Sequence, residues 1–190
     1  MILGVALIGL VAAVWLITRE EIGRLRAIDA EAGELPPLLG SAILAAEEPR
    51  MFQLARPLVP HRRPLWQHLE VALTTRVAHL LFSRDDLLRM YAHEVYMGQA
   101  GNRTLLGVDS ASEVYFGKRT ADLTIAEAAM IAGMIRSPNN TSPLRKPDRA
   151  WKRRSEVLAK MRARGFIDRE QFTAAMAEPL VPRTSRALRQ

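Results

Sequence analysis

The stretch from Asp122 to Pro143, DLTIAEAAMIAGMIRSPNNTSP, carries the densest structural signals of this 190-residue chain. Thr124 and Glu127 have the spacing of a capping box, which predicts a helix from Ile125 to Ile135. That helix is apolar on nearly all sides, as is typical of a helix buried inside a domain. Ser137 to Pro143 is rich in turn-forming residues and predicts a loop. We therefore expect a helical domain built around this segment.

Helix signals continue on both sides of this segment. Ser83 with Asp86 predicts one helix N-terminus, Asp168 with Gln171 predicts another, and Pro147 suits the first turn of a third helix. No alternating stretch is long enough for a confident strand, so the predicted fold class is all-α. The predicted helices are Ile22 to Ala32, Leu38 to Glu48, Leu65 to Phe82, Asp85 to Met97, Asp109 to Phe116, Pro147 to Gly165 and Asp168 to Ala177. Ala55 to Pro64 and Gly98 to Gly107 are predicted loops.

The composition excludes several kinds of site. The chain has no cysteine, so a disulfide framework, a thiol nucleophile and a cysteine-based metal site are ruled out. The four histidines have no metal-ligand spacing and no HExxH pattern occurs, so no protein metal site is predicted. The basic charge is concentrated at the C-terminal end, where residues 136–190 hold 14 Lys/Arg and five Asp/Glu, a balance of +9. Such a segment suits an anionic partner or a solvated helical face. Arg153 and Arg154 could face phosphates, but we expect them to be solvated on a basic helix.

The N-terminal run MILGVALIGLVAAVWLIT, Met1 to Thr18, carries no charge. At about 1.5 Å per residue it is just long enough to cross a hydrocarbon core, and Trp15 near its end suits the interface. We predict a single transmembrane helix here. Arg19, Arg24 and Arg26 follow it, and by the positive-inside rule they would place the remaining chain in the cytoplasm.

Four blocks, in order and at matching intervals, resemble glycosyltransferase family 51, the peptidoglycan glycosyltransferases that include the transglycosylase domain of class A penicillin-binding proteins. They are MYAHEVYMG (Met90 to Gly98), SASEVYFGK (Ser110 to Lys118), the stretch quoted above, and RRSEVLAKM (Arg153 to Met161). The resemblance implies a lysozyme-like helical domain acting on lipid II at the outer face of the bacterial cytoplasmic membrane. That topology takes precedence over the orientation suggested by charge.

The resemblance also implies the catalytic residues. AILAAEEPRMF (Ala42 to Phe52) is similar to the family's Glu-Asp-x-x-Phe block, with Glu47 at the position of the general base and Glu48 in place of Asp. Glu47 would end a helix, where the negative end of the helix dipole disfavours a second negative charge, as suits a group that accepts a proton. The alternative is an exposed charge pair at a helix end.

A second acidic residue is implied by WQHLE, Trp66 to Glu70, which aligns with the family's Arg-Lys-x-x-Glu block and keeps Glu70. The family's two phosphate-binding cations are here Trp66 and Gln67. We expect Arg62 and Arg63, just upstream, to replace them beside Arg76, because a departing pyrophosphate needs positive charge. Mg²⁺ or Mn²⁺ is the candidate cofactor for the same purpose. Tyr91, Tyr96 and Lys118, in the matching blocks, are the other predicted substrate contacts.

The chain departs from the family between these two blocks. The family carries a Gly-Gly-Ser-x-x-x-Gln-Gln segment that lines the donor site, and nothing like it occurs between Met51 and Leu65. Two functions therefore stay open. One is the polymerisation of lipid II into glycan strands, and the other is a catalytically lapsed membrane scaffold or regulator of cell-wall synthesis. Nucleic-acid binding through the basic C-terminal helix is a distant third and is not expected.

The predicted organisation has four parts along the chain. They are a transmembrane anchor (1–18), a membrane-proximal stalk (19–36), the transglycosylase-like domain (37–178) and a flexible tail (179–190). The expected partners are lipid II, the growing glycan strand, the membrane and other cell-wall synthesis proteins.

Overall fold

A computed structural model describes the backbone of residues 2–47 and 67–179, and the side chains of residues 9–47 and 71–179. Helices dominate the described part, as predicted. In chain order they are α1 (Ile2–Glu31), α2 (Pro37–Glu47), α3 (Gln67–Leu81), α4 (Arg84–Glu94), α5 (Gly107–Phe116), α6 (Ile125–Met134), α7 (Pro147–Ala163) and α8 (Arg169–Ala177). The predicted loop from Ala55 to Pro64 lies outside the described residues.

One prediction of a loop is wrong. Gly98 to Gly107 was expected to be irregular, but the chain forms an antiparallel hairpin of β1 (Tyr96–Ala100) and β2 (Arg103–Leu106). Gly101 turns the chain with φ +61°, and a bulge between Tyr96 and Gly98 shifts the register. A glycine at the tip of a two-residue turn favours a hairpin, and here it outweighs the weak alternation of the strands. The domain is therefore mostly helical and not purely all-α.

The described residues divide into two compact units. The first contains residues 2–33 and 67–91, and the second contains 34–47 and 92–179. In the first unit α1 packs against α3. Arg89 on α4 donates to the backbone oxygens of Asp29 (2.9 Å) and Ala32 (2.6 Å), and also pairs with the Asp29 carboxylate. One arginine thereby satisfies carbonyls that the end of α1 would otherwise leave unpaired.

Helix α1 runs without a break through the predicted boundary between anchor and stalk. Within the described residues, no helix combines the length and the apolar character that crossing a membrane requires. Met1 of the predicted anchor lies outside the described residues, and the side chains of residues 2–8 are not described either. The transmembrane helix stays a prediction, as do the four domain boundaries.

Helix α6 is the centre of the second unit. Its N-terminal capping box is confirmed, because the Thr124 hydroxyl accepts from the Glu127 backbone N–H and the Glu127 carboxylate accepts from that of Thr124. All its residues from Ala126 to Met134 are buried, as its composition predicts. Helices α2 and α7 both pack on it and on each other. The result is a three-helix core, onto which α8 packs through α7 and α6.

Other helix boundaries differ by a few residues from the prediction. The caps at Ser83 and Asp168 and the start at Pro147 are confirmed. Helix α4 ends at Glu94 and not at Met97, because β1 begins at Tyr96. Helix α5 begins two residues before Asp109, whose carboxylate accepts a hydrogen bond from the Thr120 hydroxyl (2.6 Å).

Candidate active site

Glu47 is the last residue of α2. Pro37 occupies the first turn, where its missing N–H costs nothing, and small residues such as Gly40, Ala42 and Ala46 line the buried part of the helix. Small side chains let α2 approach α6 and α7 closely. The chain thus brings an acidic side chain to the end of a tightly packed helix, as the sequence predicted.

The carboxylate of Glu47 is buried. Glu47 is only 7% exposed, and its Oε1 has no hydrogen-bond partner among the described residues. An unpaired buried oxygen costs free energy, and native structures rarely keep one without a reason. The alternative interpretation of an exposed charge at a helix end is therefore wrong for Glu47. An acceptor held in this way is suited to receive a proton from a bound hydroxyl.

Two arginines bind the last turn of α2. Arg153 on α7 donates to the backbone oxygen of Ala46 (3.1 Å), and Arg164, at the end of α7, donates to that of Leu44 (3.0 Å). Both carbonyls belong to the final turn, where a helix lacks its own donors. The guanidinium groups also place positive charge at the negative end of the helix dipole.

The structure corrects the expectation that Arg153 and Arg154 are solvated. Arg153 is 16% exposed, and Arg154 is 3% exposed. Arg154 donates to the backbone oxygens of Met176 (3.2 Å) and Glu178 (3.1 Å) and stacks over the Trp151 ring. Burial lowers the pKa of Arg154 and the charge of Glu178 acts in the opposite sense. Arg154 thus fastens the end of α8 to α7, while its neighbour Arg153 fastens the end of α2.

The positions of five other predicted site residues relative to Glu47 are not established. Arg62 and Arg63 lie outside the described residues, and so does the side chain of Glu70 on α3. Arg76 is exposed on α3 and Tyr91 is half-buried on α4, both in the first unit. The roles of these five residues stay predictions, including the convergence of Glu47 and Glu70 on one cleft.

Tyr96 begins the hairpin and faces the loop that follows α6. Its hydroxyl donates to the side-chain oxygen of Asn139 (3.3 Å). Gly98 brings the strand against the same loop and against Tyr115 of α5. A Cβ at Gly98 would lie 3.5 Å from Pro138 and 3.6 Å from the Tyr115 hydroxyl. Burial raises the pKa of Tyr115, although a hydrogen bond with Ser142 and the charge of Arg145 act in the opposite sense. This region joins three of the blocks found in the sequence.

Lys118 forms an ion pair within the second unit. Its Nζ lies 2.8 Å from both carboxylate oxygens of Glu127. Glu127 also belongs to the capping box of α6, and the Thr124 hydroxyl donates to Glu178 (2.7 Å). Lys118 therefore stabilises the start of the central helix, and its predicted contact with substrate would have to compete with Glu127.

The positioning of the α2 end was not predicted from the sequence. Arg153 and Arg164 lie 107 and 120 positions from the carbonyls that they bind. The sequence signals at these positions were the family block that begins at Arg153 and the basic charge of the C-terminal end, and a solvated face explains that charge equally well.

No group of three or more His, Asp or Glu side chains that could hold a metal ion occurs among the described residues. The Glu47 carboxylate is a suitable ligand type but offers only one ligand, and the side chain of Glu70 is not described. Mg²⁺ or Mn²⁺ remains a prediction.

Comparison with known proteins identifies the family. The sequence model of the family described as Transglycosylase matches residues 51–162, which is more than half of the chain. The chain belongs to the transglycosylase family. The match includes Glu70 but begins four positions after Glu47, so it does not itself assign the general base.

Similar family members are penicillin-binding proteins and a shorter relative. The chain is 30% identical over 194 aligned residues to penicillin-binding protein 1A of Escherichia coli, covering 84% of this chain and 22% of that protein. It is 34% identical over 141 residues to a putative transglycosylase of Cupriavidus necator, covering 74% of this chain and 57% of that protein. A crystal structure of penicillin-binding protein 1A from Haemophilus influenzae matches with a TM-score of 0.57 at 26% identity, covering 80% of this chain and 17% of that one. The chain thus spans about a fifth to just over half of these relatives.

Proposed function

We propose that this protein is a peptidoglycan glycosyltransferase that polymerises lipid II into glycan strands. Membership of the transglycosylase family supports the reaction class. The observation that carries the proposal is the buried Glu47 carboxylate, with one oxygen that has no partner in the described part of the chain, at the end of a helix bound by two arginines. A general base needs this combination of a free acceptor atom and a fixed position.

In the proposed reaction, the 4-hydroxyl of one lipid-linked sugar attacks the anomeric carbon of another. A carbon–oxygen bond forms as the bond to the polyprenyl pyrophosphate breaks. The hydroxyl proton passes to the carboxylate of Glu47, and the bonding electrons leave with the pyrophosphate. Glu70 would act at the pyrophosphate side of the site.

The remaining predicted residues would bind the substrates. Arg62, Arg63 and Arg76 are proposed to offset the charge of the leaving pyrophosphate. Tyr91, Tyr96 and Lys118 are proposed to contact the two sugar chains. A bound divalent ion would supply further positive charge at the pyrophosphate.

The proposal includes a place for the protein in the cell. We propose that Met1 to Thr18 cross the cytoplasmic membrane of a bacterium once, with the remaining chain on the outer side, where other cell-wall synthesis proteins would be its partners. Five apolar side chains of α1, including Leu10 at 62% and Trp15 at 59% exposure, support a lipid environment for this helix.

A second function is favoured by a specific observation in the sequence. The donor-site segment of the family is absent between Met51 and Leu65, and its two cations are Trp66 and Gln67. A protein with this site would keep the helical scaffold and regulate cell-wall synthesis without transferring sugar.

The deciding experiment is lipid II polymerisation by the purified full chain in detergent or liposomes. The proposal expects glycan strands from the wild type, and a loss of at least about 100-fold in kcat for Glu47→Gln, because the amide cannot take up the proton. Glu178→Gln, which makes the same change at a half-buried glutamate far along the chain from Glu47, is the control and is expected to keep its activity. A well-folded wild type that makes no glycan would reject the enzyme in favour of the scaffold.

A further inference from the structure

Arg153 and Arg164 bind the same helical turn from two different points of the chain. Arg153 leaves the middle of α7 and reaches the Ala46 carbonyl, whereas Arg164 follows the last residue of α7 and reaches the Leu44 carbonyl. Both contacted oxygens lie within the last four residues of α2, and Ala46 directly precedes Glu47. Two donors at separate points restrain the direction of the turn as well as its position.

The path of the Arg153 side chain depends on Gly133. A Cβ at Gly133 would lie 3.0 Å from the Arg153 Cγ and 3.5 Å from its backbone carbon. The aliphatic part of the Arg153 side chain therefore passes over α6 at Gly133, where the absence of a side chain leaves room for it. Arg153 also pairs with Glu156 (2.9 Å), which restricts the rotation of the guanidinium group. The Arg153 side chain is therefore held by contacts with α6 and Glu156 where it extends to α2, so it is not a mobile surface group.

One oxygen of the Glu47 carboxylate stays available as an acceptor. Arg153 donates to the Ala46 backbone oxygen and Arg164 to that of Leu44, while Glu47 Oε1 stays buried without a partner among the described residues. A guanidinium bonded directly to Oε1 would occupy the atom that must accept a proton. A hydrogen bond to the backbone restrains the position of the last turn while Oε1 remains available to accept a proton.

We propose that Arg153 and Arg164 are positioning residues that hold Glu47 for proton transfer by binding the last carbonyls of α2. The importance for catalysis rests on the proposed function of Glu47, whereas the restraint on α2 does not. Because small misplacements of a catalytic group reduce the rate strongly, loss of either arginine should act on kcat and not on KM.

The adjacent residue offers a matched control. Arg154 is buried where Arg153 is partly exposed, but it lies on the same helix and also donates to carbonyls at a helix C-terminus, here that of α8. Arg153→Met and Arg154→Met remove the same group from neighbouring positions. A general loss of packing would affect both variants alike, whereas positioning of Glu47 would affect only the first.

The first measurement is hydrogen–deuterium exchange on the full chain, which needs no activity. Arg153→Met is expected to speed exchange of the amides of residues 43–47 by about tenfold, as loss of one charged hydrogen bond implies, and Arg154→Met is expected to leave them unchanged. Arg164→Met should resemble Arg153→Met. Unchanged exchange in both Arg153→Met and Arg164→Met would overturn the proposal, whatever the activity of the wild type.

The second measurement is steady-state lipid II polymerisation. Arg153→Met should lower kcat by about 10-fold to 100-fold with KM unchanged, and Arg153→Lys, which keeps one charged donor, should recover most of the loss. Equal losses of kcat in Arg153→Met and Arg154→Met would refute positioning. Should the wild type form no glycan, the proposed function fails and the exchange result alone decides the restraint. If Arg153→Met does not fold, Gly133→Ala displaces the same side chain and takes its place in both measurements.

Discussion

At position 107, the connection between the hairpin and α5 requires a glycine. It begins α5 with φ +77°, and its N–H donates to the Val95 oxygen (2.8 Å). A Cβ at this position would lie 2.5 Å from the backbone oxygen of His93, closer than such atoms can approach. Only glycine satisfies both the backbone conformation and the contact. The hairpin therefore connects to α5 only because residue 107 has no side chain.

We expect Gly107→Ala to lower the free energy of unfolding by about 3 kcal/mol, since it adds a clash to a left-handed conformation. Gly101→Ala is the control, because Gly101 has φ +61° but no atom within 4 Å of a built Cβ. It should cost only about 1 kcal/mol. Urea unfolding of both variants measures the difference, and equal losses would show that the contact with His93 does not matter.

For Glu47, Arg153 and Arg154, the sequence predicted some properties of the individual residues and not others. The identity of Glu47 and its place at a helix end followed from local sequence and from the family resemblance. Its burial did not, because burial depends on α6 and α7 packing around α2. Arg153 and Arg154 were expected to be solvated, since a charge pattern along one helix does not reveal which carbonyls of other helices lie within reach.

Among the elements, helix starts were the best predicted. Thr124 with Glu127 and Asp168 with Gln171 form the capping boxes that their spacing indicated. These bonds join residues three positions apart, so the information needed is local. The hairpin of β1 and β2 was missed, because its strands are short, its register is shifted by a bulge, and its support comes from the loop after α6.

The start of α4 gives a pH-dependent prediction. The Ser83 hydroxyl and backbone N–H both donate to the Asp86 carboxylate (2.6 and 3.0 Å), and these bonds lower the pKa of Asp86. A lowered folded-state pKa stabilises the protein above the unfolded value of about 3.9, and the contribution is lost as the pH falls through the folded value. Because the Asp86 side chain is 41% exposed and solvent screens its charge, Asp86→Asn should cost at most about 1 kcal/mol at pH 7 and progressively less below about pH 4.

Urea unfolding at a series of pH values tests this prediction. Asp85→Asn is the control, because it removes the same charge from the same exposed turn and leaves the Ser83 bonds intact. Its cost should change less with pH than that of Asp86→Asn. A cost of Asp86→Asn that stays constant from pH 7 to pH 3 would contradict the assignment.

For the whole molecule, the proposed anchor can be tested by removal. A chain that starts at Arg19 should leave the membrane fraction, because it lacks the apolar run that would enter the lipid. A full-length variant with serine at Leu10, Val11, Trp15, Leu16 and Ile17, which are all exposed on α1, should behave in the same way.

Carbonate extraction of membranes followed by immunoblotting measures the distribution. Substituting three exposed residues of α7, Arg149, Lys152 and Glu156, with serine provides a control that should stay with the membrane. Retention of both N-terminal variants in the membrane fraction would show that another part of the chain holds it there.

The sequence by itself determined the helical class, most helix starts, the family and the place of Glu47 at the end of α2. These features depend on residues a few positions apart, or on blocks whose order along the chain is visible in the sequence. Only the tertiary structure decided that the Glu47 carboxylate is buried, with one oxygen lacking a partner among the residues that the structure describes, and that Arg153 and Arg164 hold its helix. Those contacts join residues more than a hundred positions apart, and packing of α2, α6 and α7 alone brings them within bonding distance.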